Sequence, residues 1–315
     1  MSSDATDAAQ AARARAATSG GTSPVGGEAP RPREGDRGRK RAEGAAAPRR
    51  HGAPSGRGRG MGGARRVAGA LLGAGALAWA ALLVAWVLGA RAMGPDFLPS
   101  PLATVQGAAD LIERGTLQED VAVSLVRVLK GWLGGLVVAI PLGLAIGNFR
   151  GVATVLEPLI NFFRFVPAIG FLTLFLLWFG VGEQSKVALI FYATIFPVTI
   201  NTIAGVRQVD PALVEASQTL GASRARTFFT VVVPAAVPNM FTGVRLGLSG
   251  AITAIVAAEM LAASSGLGYL IYTSRLYYHI DWIFVGIFTL GVIGFLADRL
   301  LQWAGRRLLL RFGVK

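Results

Sequence analysis

The sequence predicts an all-α polytopic membrane protein of about six transmembrane helices. Three observations lead there. Of its 315 residues, 53% are hydrophobic. Only 16% are charged, against about a quarter in an ordinary soluble domain. The apolar residues also gather into runs long enough to cross a bilayer. The chain has no cysteine, which excludes disulfides, thiolate zinc sites and cysteine nucleophiles. Its two histidines, His51 and His279, are too far apart in sequence to form a His-pair metal motif.

Charge is spread unevenly. Residues 1–66 hold 14 Lys/Arg against 6 Asp/Glu and almost no large apolar side chains. Such a segment cannot bury enough surface to offset its ordering entropy, so a disordered basic cytoplasmic tail is expected over 1–66. Runs such as Arg37-Gly38-Arg39-Lys40-Arg41 could attract polyanions. A solvated extension that reinforces topology is the favoured reading, with no specific nucleic-acid partner. Initiation at Met61 would remove the tail altogether.

Residues 67–315 read as one transmembrane domain. Its first span, Val67 to Ala90, follows Arg65-Arg66 and exceeds the apolar core of a signal peptide, so it is expected to be retained. Residues 91–120 follow it. They open on turn chemistry at Gly94-Pro95 and then read as a short amphipathic helix, with Leu102, Val105, Ala109 and Ile112 near one face. A lid lying on the membrane surface is expected. Five more spans are placed at about 121–147, 153–179, 187–206, 236–261 and 283–304. Arg and Lys concentrate in the tail and in the loops on its side, which puts both termini in the cytoplasm.

Glycines at four-residue spacing, Gly131/Gly135, Gly143/Gly147 and Gly243/Gly247, read as close helix packing. Pro141, Pro167 and Pro197 are expected to kink their spans, as in a pathway or a moving bundle. Charges at membrane depth face protein or water. Arg164, Arg245 and Glu259 are the candidate lining of a polar route, with Arg245 and Glu259 within about 40° of each other on one helix. Arg127, Lys130 and Arg299 lie nearer span ends and read as interface residues or inter-helix partners.

The polar segment 207–234 breaks the pattern of spans. Asp210 is a plausible N-cap, with Pro211 at the first helical position. Gly221 can end that helix in the left-handed conformation. Ser223 can cap a second helix through Arg224 and Arg226, and Pro234 marks the start of the next span. A surface hairpin would not need so much structure.

Glu215-Ala216-Ser217, with Gly221, Val231, Val233 and Pro234 following, resembles the EAA loop of permease subunits of bacterial ABC importers. Ser217 stands where that family usually has a second Ala, and Val231 and Val233 replace the usual Ile and Leu. The resemblance runs over about residues 97–312. It includes Trp178 to Lys186, Ala258-Glu259-Met260 and Gly266-Leu267-Gly268, and is nearest the nitrate/sulfonate/taurine branch. It implies a MetI-like permease bundle in a bacterial cytoplasmic membrane, surrounded by lipid and paired with a second permease chain as a homodimer. Glu215, Ala216, Ser217, Gly221, Arg224 and Pro234 would then couple to a dimer of cytoplasmic ATP-binding subunits. ATP and magnesium would sit in that partner, with no cofactor in this chain. An extracytoplasmic binding protein would choose the cargo, a small anion such as an aliphatic sulfonate, taurine or nitrate.

The chain has no phosphate loop of its own. The nearest candidate, Gly180 to Lys186, lacks the Gly before Lys. Two alternatives stand beside the importer subunit. A gradient-driven secondary transporter calls for inverted repeats, and none is recognisable. The same ABC class could instead move a vitamin precursor.

Overall fold

The structure, a computed structural model, describes residues 60–311. The expectation of a disordered tail falls on residues outside this range as far as 59. Residues 60–66 belong to the start of the first helix, α1 (Gly60–Met93).

α1 is peripheral. Leu77, Trp79, Leu82 and Leu88 are exposed, as on a lipid-facing helix. Trp86 fixes its end by stacking on Phe284, packing at a tilt against Phe288 and donating its indole N–H to the Pro99 carbonyl at 3.0 Å. α2 (Pro101–Glu113) starts on Ser100, whose hydroxyl accepts the Ala103 N–H. Its Thr104, Gly107 and Leu111 are buried, while the apolar stripe of Leu102, Val105 and Ile112 stays open. Gly107 is needed there, because a Cβ would meet the Asp281 carboxylate and the Trp282 ring.

The core is built from three long helices. α3 (Thr116–Asn148) and α6 (Glu183–Arg207) pack along a seam of glycines. Gly131 faces Ile190, Gly135 faces Thr194, Gly143 faces Thr202 and Gly147 faces Val206. A Cβ on Gly143 would lie 2.5 Å from the Thr202 Cβ. Equal steps along the two helices match, so α3 and α6 run in the same direction. α9 (Val233–Ala262) crosses α6 antiparallel, with Gly243 against Val198 and Asn201 and Gly247 against Thr194 and Val198. All three glycine pairs expected to serve packing therefore do so. Val128, Trp132, Leu189, Ile190, Leu248 and Ile255 fill the space between them, and Trp132 donates to the Val244 carbonyl at 3.2 Å.

Parallel α3 and α6 oblige the intervening chain to return from one end of the bundle to the other. A single span is expected there from the sequence, over 153–179. The structure instead gives α4 (Arg150–Phe163), a 3₁₀ turn (Ala168–Phe171) and α5 (Leu172–Phe179), with the two parts bent by 93°. Pro167, which has no N–H, ends the ladder. The Tyr192 hydroxyl meets the Phe163 carbonyl at 2.9 Å and the Val166 carbonyl at 3.4 Å. Backbone opened at membrane depth is thus satisfied by protein. Pro141 and Pro197, by contrast, lie inside unbroken helices. The difference lies in what packs beside each proline, which hydropathy does not report.

After α6 the chain forms the polar loop, with α7 (Pro211–Thr219) and α8 (Arg224–Thr227). Beyond α9, α10 (Leu267–Leu276) is a short helix at the end opposite the loop. α11 (Ile280–Arg311) then runs antiparallel to α9, with Gly294 against Ile252 and Gly305 against Phe241. Among the described residues, five helices are long and apolar enough to cross a membrane, and the bent pair, taken as one span between the parallel α3 and α6, makes a sixth crossing. The protein is therefore a multi-pass membrane protein.

Candidate functional site

The loop is organised by local capping. The Asp210 carboxylate accepts the Ala212 N–H at 2.9 Å, and Pro211 opens α7. Gly221 takes φ +84° with nothing close to its missing Cβ, so its requirement is one of backbone alone. The Ser223 hydroxyl accepts the Arg226 N–H. Ser217 and the buried Thr227 join hydroxyls at 3.0 Å and tie α7 to α8, which the usual alanine at 217 could not do.

One part of the loop differs from expectation. Pro234 does not separate a short helix from a span. α8, a wider π turn (Phe228–Val232) and α9 form one helical run, Arg224–Ala262. Pro234 cannot donate to the carbonyl of Thr230. The π turn absorbs the mismatch through a bond from the Val233 N–H to the Phe228 carbonyl. The loop is thus continuous with a core helix.

The loop's outer surface is polar around Glu215 and Arg224, both exposed. It also presents apolar side chains to water: Leu220 is 88% exposed, Phe229 68% and Leu213 54%. Ala216 is exposed among them. Beside it lies a hollow of about 610 Å³ bordered by Phe149, Val214, Gln218, Arg224 and Phe228. Mixed charge and unpartnered apolar surface on a capped element suits a docking face.

The structure divides the three charged residues proposed for a polar route. Glu259 is fully buried, on the side of α9 that faces α3 and α10. Its carboxylate accepts from Ser124 at 2.9 Å, from Arg127 at 2.8 Å and from the Gly268 N–H at 2.9 Å. Gly266 and Gly268 have no room for a Cβ against Glu259. Arg127 is buried too, and of the two expected roles it has that of an inter-helix partner. It also grips Glu183 through two bonds of 2.6 Å and the Ser265 carbonyl at 2.7 Å. Asp120 accepts the Gly266 N–H at 2.6 Å. This network holds the turn between α9 and α10 onto α3 and α6.

Arg245 instead faces α11, where Asp298 receives it in two bonds of 2.7 and 3.0 Å. The pair borders a cavity of about 510 Å³ that also touches Thr242, Ser249 and Thr253. Arg164 caps α4 at the break. It borders a second cavity, of about 590 Å³, with Tyr192, Phe196, Ser249 and Thr253. Arg164 and Arg245 thus adjoin open space, and Glu259 does not. Glu183 and Asp298 were not singled out from sequence. The signal was there: a cation inside an apolar span needs a counter-charge.

Six crossings, a rigid two-helix loop joined to the core and cavities beside α9 define a membrane transport subunit. Among the described residues, no group of His, Cys, Asp or Glu is placed to hold a metal ion. The chain belongs to the family of binding-protein-dependent transport system inner membrane components, whose model matches residues 139–310. It is 41% identical over 217 residues to a probable ABC transporter permease protein of Brucella melitensis, covering 69% of this chain and 88% of that one. It is 36% identical to the taurine transport system permease protein of Escherichia coli, covering 73% and 86%. Relatives in Bacillus subtilis and Synechocystis are named for aliphatic sulfonates and for nitrate. An inward-facing crystal structure of the MetNI methionine ABC transporter shares the fold, with TM-score 0.50 at 19% identity over 65% of this chain and 97% of that one. The chain is therefore a non-catalytic permease subunit of an ABC importer, working with a separate ATPase.

Proposed function

We propose that this subunit carries a small anion, such as an aliphatic sulfonate, taurine or nitrate, across a bacterial cytoplasmic membrane with both termini in the cytoplasm. The loop at Glu215 is its contact with a dimer of ATP-binding subunits, which hold ATP and magnesium. The observation that carries this reading is the loop's construction. A capped α7, exposing Glu215, Leu213 and Leu220, is welded through α8 and the π turn to α9. A push on Ala216, Ser217 or Arg224 reaches the core directly, with Gly221 setting the bend and Pro234 the register.

Thr242, Ser249 and Thr253 line the open side of α9 next to Arg245. Polar groups at membrane depth call for water or protein beside them. A second copy of the chain supplies that cover, and a homodimer encloses a shared route past Arg164 and Arg245. Both cavities are of a size that takes small solutes. The second cavity, with Arg164 and no carboxylate among its lining residues, favours an anion, while Arg245 is balanced by Asp298. The names of the relatives agree with an anion.

The test is uptake into lipid vesicles by the permease with its ATPase and its extracytoplasmic binding protein. ATP-dependent uptake of a sulfonate, taurine or nitrate is expected. A binding protein that prefers a cationic vitamin precursor would remove the anion. Uptake driven by an ion gradient without the ATPase would remove the coupling role of the loop.

A further inference from the structure

α4 carries a feature that the loop and the core do not use. Its polar residues are Arg150, Thr154, Glu157, Asn161 and, at the cap, Arg164. At about 100° per residue these five fall within an arc of roughly 80°. Val155, Leu159 and Phe162 form an exposed apolar face, suited to lipid. Val152, Leu156 and Ile160 are half-buried on the remaining side. A helix sorted into three faces contacts three different surroundings.

α4 does not lie flat at the membrane surface. Glu157 is tied to Arg207, the last residue of α6, by two bonds of 3.0 and 2.7 Å. The Phe163 carbonyl is tied to Tyr192, about four turns farther along α6 from that end. α4 therefore climbs from the loop end to the middle of the bundle. Asn161 and Arg164 travel with it to a depth where an unsatisfied polar group is costly. Asn161, Glu157 and Thr154 line a groove along α4 that begins at Arg150. Arg164 borders the cavity at the break.

We propose that this polar arc of α4 is one wall of a water-filled passage running from the cavity at the helix break to the loop end, and that the Glu157–Arg207 pair closes its lower mouth. The passage rests on the importer reading, since it is the inner half of the solute's route. Arg207 lies three residues before Asp210, the cap of α7, so displacement of the coupling loop acts first on this pair. A small anion leaving the cavity past Arg164 would find amide and hydroxyl groups at Asn161 and Thr154, and then Arg150.

The chain has no cysteine, so single cysteines can be read without background. The complete importer with its ATPase is reconstituted in vesicles and exposed to a water-soluble maleimide. Thr154→Cys and Asn161→Cys are expected to react about tenfold faster than Val155→Cys and Leu159→Cys, because thiolate forms only where water reaches. Equal rates at Asn161→Cys and Leu159→Cys would mean that protein or lipid covers the arc, and would overturn the passage. Glu157→Gln keeps the side chain's size and removes its charge. It is expected to raise leak of solute without ATP several-fold, and unchanged leak overturns the closing role. ATP-driven uptake by the unsubstituted chain is measured in the same vesicles. Its absence would count against the importer reading, while the labelling pattern would still decide the passage.

Discussion

Arg127 joins two carboxylates from different crossings, Glu183 at 2.6 Å and Glu259 at 2.8 Å, at the end of the bundle opposite the loop. It is nearly enclosed, and Glu259 is completely so. Removing the cation from such a pair leaves an uncompensated buried charge, which typically costs about 3–5 kcal/mol. Arg127→Ala is expected to unfold in detergent at clearly lower temperature, with the turn at Gly266 released. Wild-type thermal stability in that variant would show that the pairing is incidental.

The glycine seam gives a contrast between two similar changes. Gly143→Val would drive its side chain into Thr202 and separate α3 from α6, with loss of folded protein. Gly151→Ala sits in α4 with nothing within 4 Å. A helical Gly→Ala change there should stabilise by roughly 0.5–1 kcal/mol. Thermal melts of the two purified variants should move in opposite directions.

Gly221 makes a separate prediction. Its positive φ and empty surroundings mean that only backbone strain opposes a side chain there. Gly221→Val is expected to insert normally and to lose ATP-dependent uptake. Gly221→Asn, which tolerates the left-handed region better, should keep part of it. Full uptake by the valine variant would show that the bend has no part in coupling.

Ser217 departs from the usual alanine of this loop, and its hydroxyl meets Thr227. Ser217→Ala leaves the buried Thr227 hydroxyl without that partner, at a cost of about 1 kcal/mol. Amide hydrogen exchange across 211–227 should quicken in that variant. Unchanged protection would assign the loop's rigidity to its caps alone.

The loop was legible in the sequence because its rules are local. Asp210 with Pro211, Gly221 and Ser223 each act within a few residues, and each stands as expected. The glycine pairs announced close packing, but not that α3 would lie parallel to α6. That depends on which distant helix fills the groove. A kink at Pro167 was expected alongside those at Pro141 and Pro197, but not that it alone would open into a full break, because what makes the opening tolerable is Tyr192, from another helix. Arg245 and Glu259 looked like one pair on one face. Their true partners, Asp298 and Arg127, lie on other crossings, and no spacing rule within α9 could identify them.

The parallel seating of α3 on α6 sets an order of assembly. A chain inserted from its N-terminus lays down the glycine groove of α3 well before the Ile190, Thr194, Thr202 and Val206 side chains that fill it exist. α4 and α5 must be threaded back across the bilayer first. During that interval the groove is open to any other small-faced helix nearby. Until α6 is complete, a nascent chain is thus exposed to mispairing at the first of the two seams that α6 makes with its neighbours.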